Sequence, residues 1–304
     1  MNQDLRAYLM LVLATLFWAG NFIIGKIAFI ENVPPFSLTF FRWLLVWIIL
    51  IPFTYKELFK IKKIILQNLP LLFFLGFTSV GLFNSFIYNA LNFTQVINAS
   101  LFNAVIPAAI ILFCFLFKLD KTNKYQLLGL IITIFGVLSI ITKLDLNILL
   151  TLNFNKGDLL MIGAVITWGL YSAFLKKRKF EVSLLTFVHI LCTFGLISLV
   201  PQFLYEFLQG ETVTVNTNFV YSLFYLAIFP SIGSYYCWAG AVSIIGANRS
   251  GIFLSLIPLF STMMAILLFN EKFQYYHFIG SVLTLFGLIL SCKKKTNLLK
   301  IKNA

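Results

Sequence analysis

The sequence predicts an all-α integral membrane protein: ten transmembrane helices built as two inverted five-helix repeats. Three observations carry that reading. Of 304 residues 60% are hydrophobic and 11% charged, with a mean hydropathy of +0.95, outside the balance of water-soluble globular domains. The apolar residues fall into runs of about 20, the length of helix that crosses roughly 30 Å of hydrocarbon. One stretch also occurs twice. Laid with Pro107 on Pro258 and no gap, Ala90 meets Ala241, Phe102 meets Phe253, Lys121 meets Lys272, Tyr125 meets Tyr276, Gly129 meets Gly280, Thr133 meets Thr284 and Gly136 meets Gly287. Acidic Asp120 meets acidic Glu271.

The apolar runs lie at 7–25, 36–54, 67–89, 96–117, 125–142, 158–175, 183–204, 217–239, 247–269 and 275–292. The first follows only Asp4 and Arg6 and is too long for a signal-peptide core, so it is expected to be retained. The second opens after Pro34-Pro35 and carries Arg42. In the third, Asn84 and Tyr88 stand four apart on one helix face. The fourth carries Ser100, Asn103, Ala104 and Pro107; the fifth repeats Gly and Thr. The polar connection 143–157 then divides the chain. The sixth run holds Trp168 and Tyr171, the seventh His189, and the eighth Tyr235 and Trp238. In the ninth, Gly251, Ser255, Pro258 and Thr262 form a small-residue face, and the tenth repeats the Gly and Thr pattern of the fifth. Five spans on each side of 143–157 make each half odd, so consecutive copies face opposite ways across the membrane. This divides the chain into repeats at 1–147 and 148–292 and a basic tail at 293–304. The starts of the halves echo each other more faintly: Trp18 matches Trp168, Lys26 matches Lys176, and Leu38-Thr39-Phe40 resembles Leu185-Thr186-Phe187, which sets Arg42 opposite His189.

The net charge of +13 invites a nucleic-acid reading, but its distribution argues otherwise. Lys56, Lys60, Lys62, Lys63, Lys118, Lys124, Lys177, Arg178 and the Lys residues after 292 all fall on one side of a ten-span topology. The positive-inside rule then puts both termini in the cytoplasm. The expected location is a bacterial cytoplasmic (inner) membrane; the Ile, Lys, Asn and Phe bias resembles that of an AT-rich genome. Cys114, Cys192, Cys237 and Cys292 lie in or beside apolar spans with no ligand spacing, so neither a disulfide framework nor a zinc site is expected. His189 and His277 are isolated. No metal and no cofactor is predicted.

Candidate site residues are polar or aromatic groups placed in apolar spans. Arg42 sits about six residues into its helix, roughly 9 Å deep at 1.5 Å per residue. It either snorkels to the interface, with Trp43 and Trp47 as belt residues, or orients an anionic or zwitterionic substrate. Asn21, Asn84, Tyr88 and Asn103 carry groups too costly to leave unpaired in lipid, so they hold helices together or line a cavity. Trp18, Trp168, Tyr171, Tyr235 and Trp238 offer stacking surfaces. Pro107, Pro258, Gly251 and Ser255 are places where a helix breaks or packs closely. Asp120 and Glu271, beside Lys121 and Lys272, read as charge pairs at span ends. No Asp or Glu occupies the middle third of any span, which argues against the intramembrane-carboxylate form of proton antiport.

The run FWAGNF at Trp18, followed by Lys26, Pro34-Pro35 and Arg42, resembles the opening of the drug/metabolite transporter superfamily, in its EamA-like ten-helix branch. The Pro and acid-Lys pairs at the ends of spans four and nine resemble that family's repeat signature. Asp120 departs from it where Glu is more usual, and helix 1 lacks the acid found in small multidrug relatives. The resemblance implies a secondary transporter of small polar metabolites, amino acids or related compounds, working by alternating access. Uptake of a scavenged cofactor or nucleotide-like metabolite such as S-adenosylmethionine is the alternative it leaves open. A polytopic membrane enzyme is the competing class, but no His/Asp/Glu/Cys constellation supports it. The expected partners are a small-molecule substrate and the lipid bilayer, with the chain a monomer or homodimer.

Overall fold

A computed structural model describes residues 3–119, 124–145, 147, 155–175, 177–178, 180–245, 250–251 and 253–291. Asp120, Lys121, Lys176, Arg249, Cys292 and the tail 293–304 lie outside these residues. Seven helices are long and apolar enough to cross a membrane: α1 (Gln3–Ile30), α2 (Pro35–Lys60), α3 (Leu69–Ala90), α4 (Val96–Leu116), α6 (Lys156–Leu175), α7 (Leu184–Leu208) and α8 (Thr217–Ile245). Three shorter apolar helices fall where the remaining spans are expected: α5 (Lys124–Ile141), α9 (a 3-10 turn Phe253–Ser255 leading into Leu256–Phe269) and α10 (Tyr275–Ser291). A short exposed helix, Lys62–Gln67, joins α2 to α3. No strand occurs among the described residues. Every backbone polar group in hydrocarbon must be satisfied within its own element, and helix does this locally.

The helix packing is unchanged when the halves are exchanged. Helix α1 packs on α8 and α9, just as α6 packs on α3 and α4; α2 lies along α7, and α5 along α10. The last two pairs fix direction. A Cβ added at Gly136 would meet Gly280 O and Thr284 N at 2.8 Å, while one at Gly287 would meet Gly129 O at 2.6 Å. Early residues of α5 therefore touch late residues of α10, and the two run antiparallel. In the other pair, Ser37 meets Glu206 while Glu57 meets Ser183, so α2 and α7 are antiparallel as well. Corresponding helices of the two halves thus point opposite ways, as an odd-span duplication requires.

Several local features repeat between the halves. Both α3 and α8 widen into a π-helical turn, at Phe77–Leu82 and Ala227–Gly233. Both α4 and α9 tighten into a 3-10 turn, at Phe102–Val105 and Phe253–Ser255, just before Pro107 and Pro258. The prolines lack the N–H that an uninterrupted α-helix would use there, and the changed winding absorbs the break. Pro52 and Pro201 fall inside α2 and α7. Helix α8 runs on to Ile245, past the expected end of its apolar run at 239. Large apolar side chains such as Phe53, Phe59, Leu208 and Leu267 stand exposed along the outer faces, as lipid contact demands.

Candidate functional site

Where α1, α3, α4, α6, α8 and α9 meet, Trp18, Asn21, Phe83, Asn84, Asn103 and Trp168 line a central cavity. Its free space is about 10 Å³, on the margin of holding one water. Larger crevices of about 310 and 370 Å³ open elsewhere. Their walls are mostly apolar and lie between helices on the lipid side. In the central cavity the amides of Asn21, Asn84 and Asn103 from the first half face Trp168 and Tyr235 from the second.

Arg42 stands beside it. The side chain is 1% exposed, so snorkelling to the interface does not occur, and Trp47 is occupied elsewhere, donating to Thr193 Oγ1 at 3.1 Å. Arg42 Nε donates to Ser231 Oγ at 2.6 Å. Nη1 shares its hydrogens among Asn21 Oδ1 at 2.8 Å, Asn84 Oδ1 at 2.9 Å and Tyr88 Oη at 2.6 Å. Tyr88 Oη in turn donates to Asn21 Oδ1 at 2.6 Å. The guanidinium also lies 5.1 Å from the Trp43 ring centre and 6.0 Å from that of Tyr88. Its hydrogen-bond partners are neutral oxygens; among the described residues none is a carboxylate. A buried cation is stable only when paired or densely hydrogen-bonded, and here four side chains from three helices, α1, α3 and α8, supply the bonds.

The π-helical turns serve this cluster. By shifting the ladder they place carbonyls and Ser231 within reach of side chains. Trp18 Nε1 donates to Pro230 O at 3.1 Å, and Tyr235 Oη and Asn84 Nδ2 both donate to Ser79 O, at 3.0 and 3.3 Å. Thr78-Ser79 and Pro230-Ser231 mark these turns in the sequence, small polar residues within apolar runs, yet no spacing rule identifies a π turn from them.

An aromatic group closes the site. Trp18 and Trp168, equivalent positions in the two halves, meet edge-on at 5.4 Å; Tyr235 lies 5.6 Å from Trp168, and Phe83 4.5 Å. Tyr171 and Trp238 stack behind Trp168 and Trp18, at 5.1 and 5.6 Å, without lining the cavity. Among the described residues the indole N–H groups of Trp43, Trp168 and Trp238 have no acceptor. A buried donor left unpaired costs about 1–3 kcal/mol.

The remaining expectations divide. Asn21, Asn84, Asn103, Trp18 and Trp168 converge. Arg42 and Tyr88 form the layer behind them. Gly251 faces Pro107, its added Cβ 3.5 Å from the ring, but neither lines the cavity, and Pro258 lines a lateral crevice. The side chain of Ser255 lies outside the described residues. His189 does not approach Arg42; its Nδ1 lies 2.5 Å from Thr54 Oγ1. Glu271 is not a solvated partner of Lys272. It is buried and accepts from the backbone N–H groups of Val96 and Ile97 at 2.9 and 3.0 Å, capping α4. Glu206 caps α2 in the same way through Phe36 and Ser37, at 2.8 and 2.6 Å, and Glu57 caps α7 through Ser183 at 2.8 Å. A carboxylate suits a helix N-terminus, where unpaired N–H groups and the dipole favour negative charge. Polar sequence at span ends hints at these caps, but their partners lie too far along the chain to be read from it.

The fold and site define a membrane transporter. The chain belongs to the EamA-like transporter family, whose profile matches residues 5–142 and 155–292. It is 28% identical over 292 residues to an uncharacterized transporter of Archaeoglobus fulgidus, covering 95% of this chain and 98% of that one. It is 25% identical to the uncharacterized transporter YetK of Bacillus subtilis, covering 97% and 89%. To the probable amino-acid metabolite efflux pump of Escherichia coli it is 26% identical, covering 92% of each chain. A solved crystal structure shares the fold with a TM-score of 0.60 at 16% identity, covering 94% of this chain and 96% of that one.

Proposed function

We propose that the protein is a secondary carrier, and not an enzyme, that moves small carboxylate-bearing metabolites of the amino-acid kind across a bacterial cytoplasmic membrane by alternating access. Both termini are taken as cytoplasmic, following the basic residues. The observation that carries this reading is Arg42, a buried cation whose hydrogen-bond partners are neutral oxygens, set against a cavity at the junction of the halves. Asn21 and Asn84 face the cavity and hold the guanidinium. A substrate carboxylate entering there would supply the missing charge, while Trp18, Trp168 and Tyr235 would take its apolar part. The E. coli relative, a probable amino-acid metabolite efflux pump, supports the same substrate class. The cavity is nearly closed, so the state described is an occluded one, and the substrate enters as α3 and α8 move about their π turns.

Counterflow in proteoliposomes tests this with a panel of amino acids, nucleosides and S-adenosylmethionine. Saturable exchange of a carboxylate-bearing compound is expected. Flux linear in gradient, without exchange stimulation, would indicate a channel and overturn the proposal.

A further inference from the structure

Across the membrane from the N-terminus, a relay of buried polar side chains links three helices and a loop. His277 Nε2 donates to Asn98 Oδ1 at 2.7 Å, because its Nδ1 already accepts from Gln274 N at 3.0 Å. Asn98 Nδ2 donates to Thr94 Oγ1 at 3.4 Å, and Thr94 Oγ1 donates to Asp158 Oδ1 at 3.3 Å. Each bond thus points from the imidazole of α10 toward the carboxylate of α6. Asp158 is 5% exposed, and among the described side chains that single hydroxyl is its hydrogen-bond donor. A buried carboxylate so lightly held is expensive to keep charged. Lys143, just past the end of α5, and Tyr276, on α10, interact with it electrostatically, and His277 stands at the far end of the relay.

The relay grips the segment 91–98 between α3 and α4. Lys26 Nζ donates to Leu91 O and Thr94 O at 3.0 and 3.4 Å, and Asn155 Nδ2 to Phe93 O at 2.9 Å. Glu271 holds Val96 and Ile97 from the far side. Helices of both halves therefore close this face on one short piece of chain, and Asp158 is a member of that closure.

We propose that Asp158 is the proton-binding site of the carrier, and that its protonation loosens the 91–98 segment and opens this face. On binding a proton the carboxyl keeps one acceptor oxygen but loses its charge, so the bond from the Thr94 hydroxyl drops from a charge-assisted to a neutral one and weakens. The attraction to Lys143 is lost in the same step. Coupling then sits at the gate and needs no acid in mid-membrane. This inference rests on the carrier reading, but its first test does not.

In the full chain in lipid nanodiscs, infrared spectra compared between pH 5 and pH 8 should show a protonated-carboxyl band that Asp158→Asn removes and that Glu206→Gln and Glu271→Gln retain. A band unchanged in Asp158→Asn would overturn the assignment. Thr94→Val, which removes the hydroxyl donor, should displace the pH at which the band appears; no displacement would count equally against it. In proteoliposomes a gradient of one pH unit should drive accumulation of up to about tenfold for one proton. Asp158→Asn should lose that accumulation and keep counterflow. Accumulation that follows a sodium gradient and ignores pH would reject the proton as ligand. If no panel substrate exchanges, the carrier reading fails while the infrared result still decides the protonation of Asp158.

Discussion

At the scale of the residue, Arg42 sets the chemistry, and its neighbours give its replacement a definite signature. Arg42→Ala leaves Asn84 Oδ1 without a donor, at about 1–3 kcal/mol where no water enters, while Asn21 Oδ1 keeps the hydrogen bond from Tyr88 and Ser231 the one it gives to Leu226 O. A lower melting temperature and loss of carboxylate-substrate exchange are expected together. Arg42→Lys keeps the charge but not the fork that reaches Ser231 and Asn21 at once. It should recover part of the melting temperature and less of the exchange, as measured by fluorescence-detected size-exclusion melts beside counterflow. Trp18→Leu and Trp168→Leu should each weaken apparent affinity by about 2- to 13-fold, the worth of an aromatic pair at 0.5–1.5 kcal/mol; equal affinity in both would remove the tryptophans from the site. Arg42, Asn84 and Tyr88 were legible in the sequence because charge and amide are conspicuous among apolar neighbours. Ser231, which binds Arg42, was not, since that bond spans 189 residues and depends on a π turn.

At the scale of the element, the three carboxylate caps and the glycine contacts bear most directly on stability. Glu206→Gln should lower the melting temperature through a cap worth about 0.5–2 kcal/mol. The glycines separate more sharply. At Gly136 and Gly280 an added methyl meets backbone oxygen at 2.8 Å across the α5 and α10 contact, where no side chain can turn aside. Gly136→Ala and Gly280→Ala should each cost about 1–3 kcal/mol. Gly251→Ala, with ordinary contact at 3.5 Å, should be tolerated, and equal losses at all three positions would contradict the packing described. The spacing of Gly129, Thr133 and Gly136 and its repeat at 280–287 stand out in the sequence, whereas the antiparallel contact between them appears only when the helices are placed. Asp158 and Glu206 read as acids bordering spans because a hydropathy window cannot distinguish a wet interface from a buried helix end.

At the scale of the whole molecule, a duplication with five expected spans in each half leads to the expectation of opposed halves, and the paired helices α2/α7 and α5/α10 run antiparallel. The nearly filled centre could not be anticipated, since cavity size follows from how rings interlock, and composition says nothing about that. A guanidinium held at the core without a carboxylate also has an electrical consequence. With the site vacant, the carrier holds one net positive charge in low dielectric. Any switch of access moves that charge through part of the membrane potential, at about 2.3 kcal/mol per 100 mV for a full crossing. A substrate of net charge −1 cancels it, whereas a zwitterion, bringing its own ammonium, does not. For a monoanionic substrate, voltage should therefore act on the return of the vacant carrier and leave the loaded crossing nearly untouched, so exchange is expected to be indifferent to an imposed potential while net flux follows it; for a zwitterion both crossings should respond.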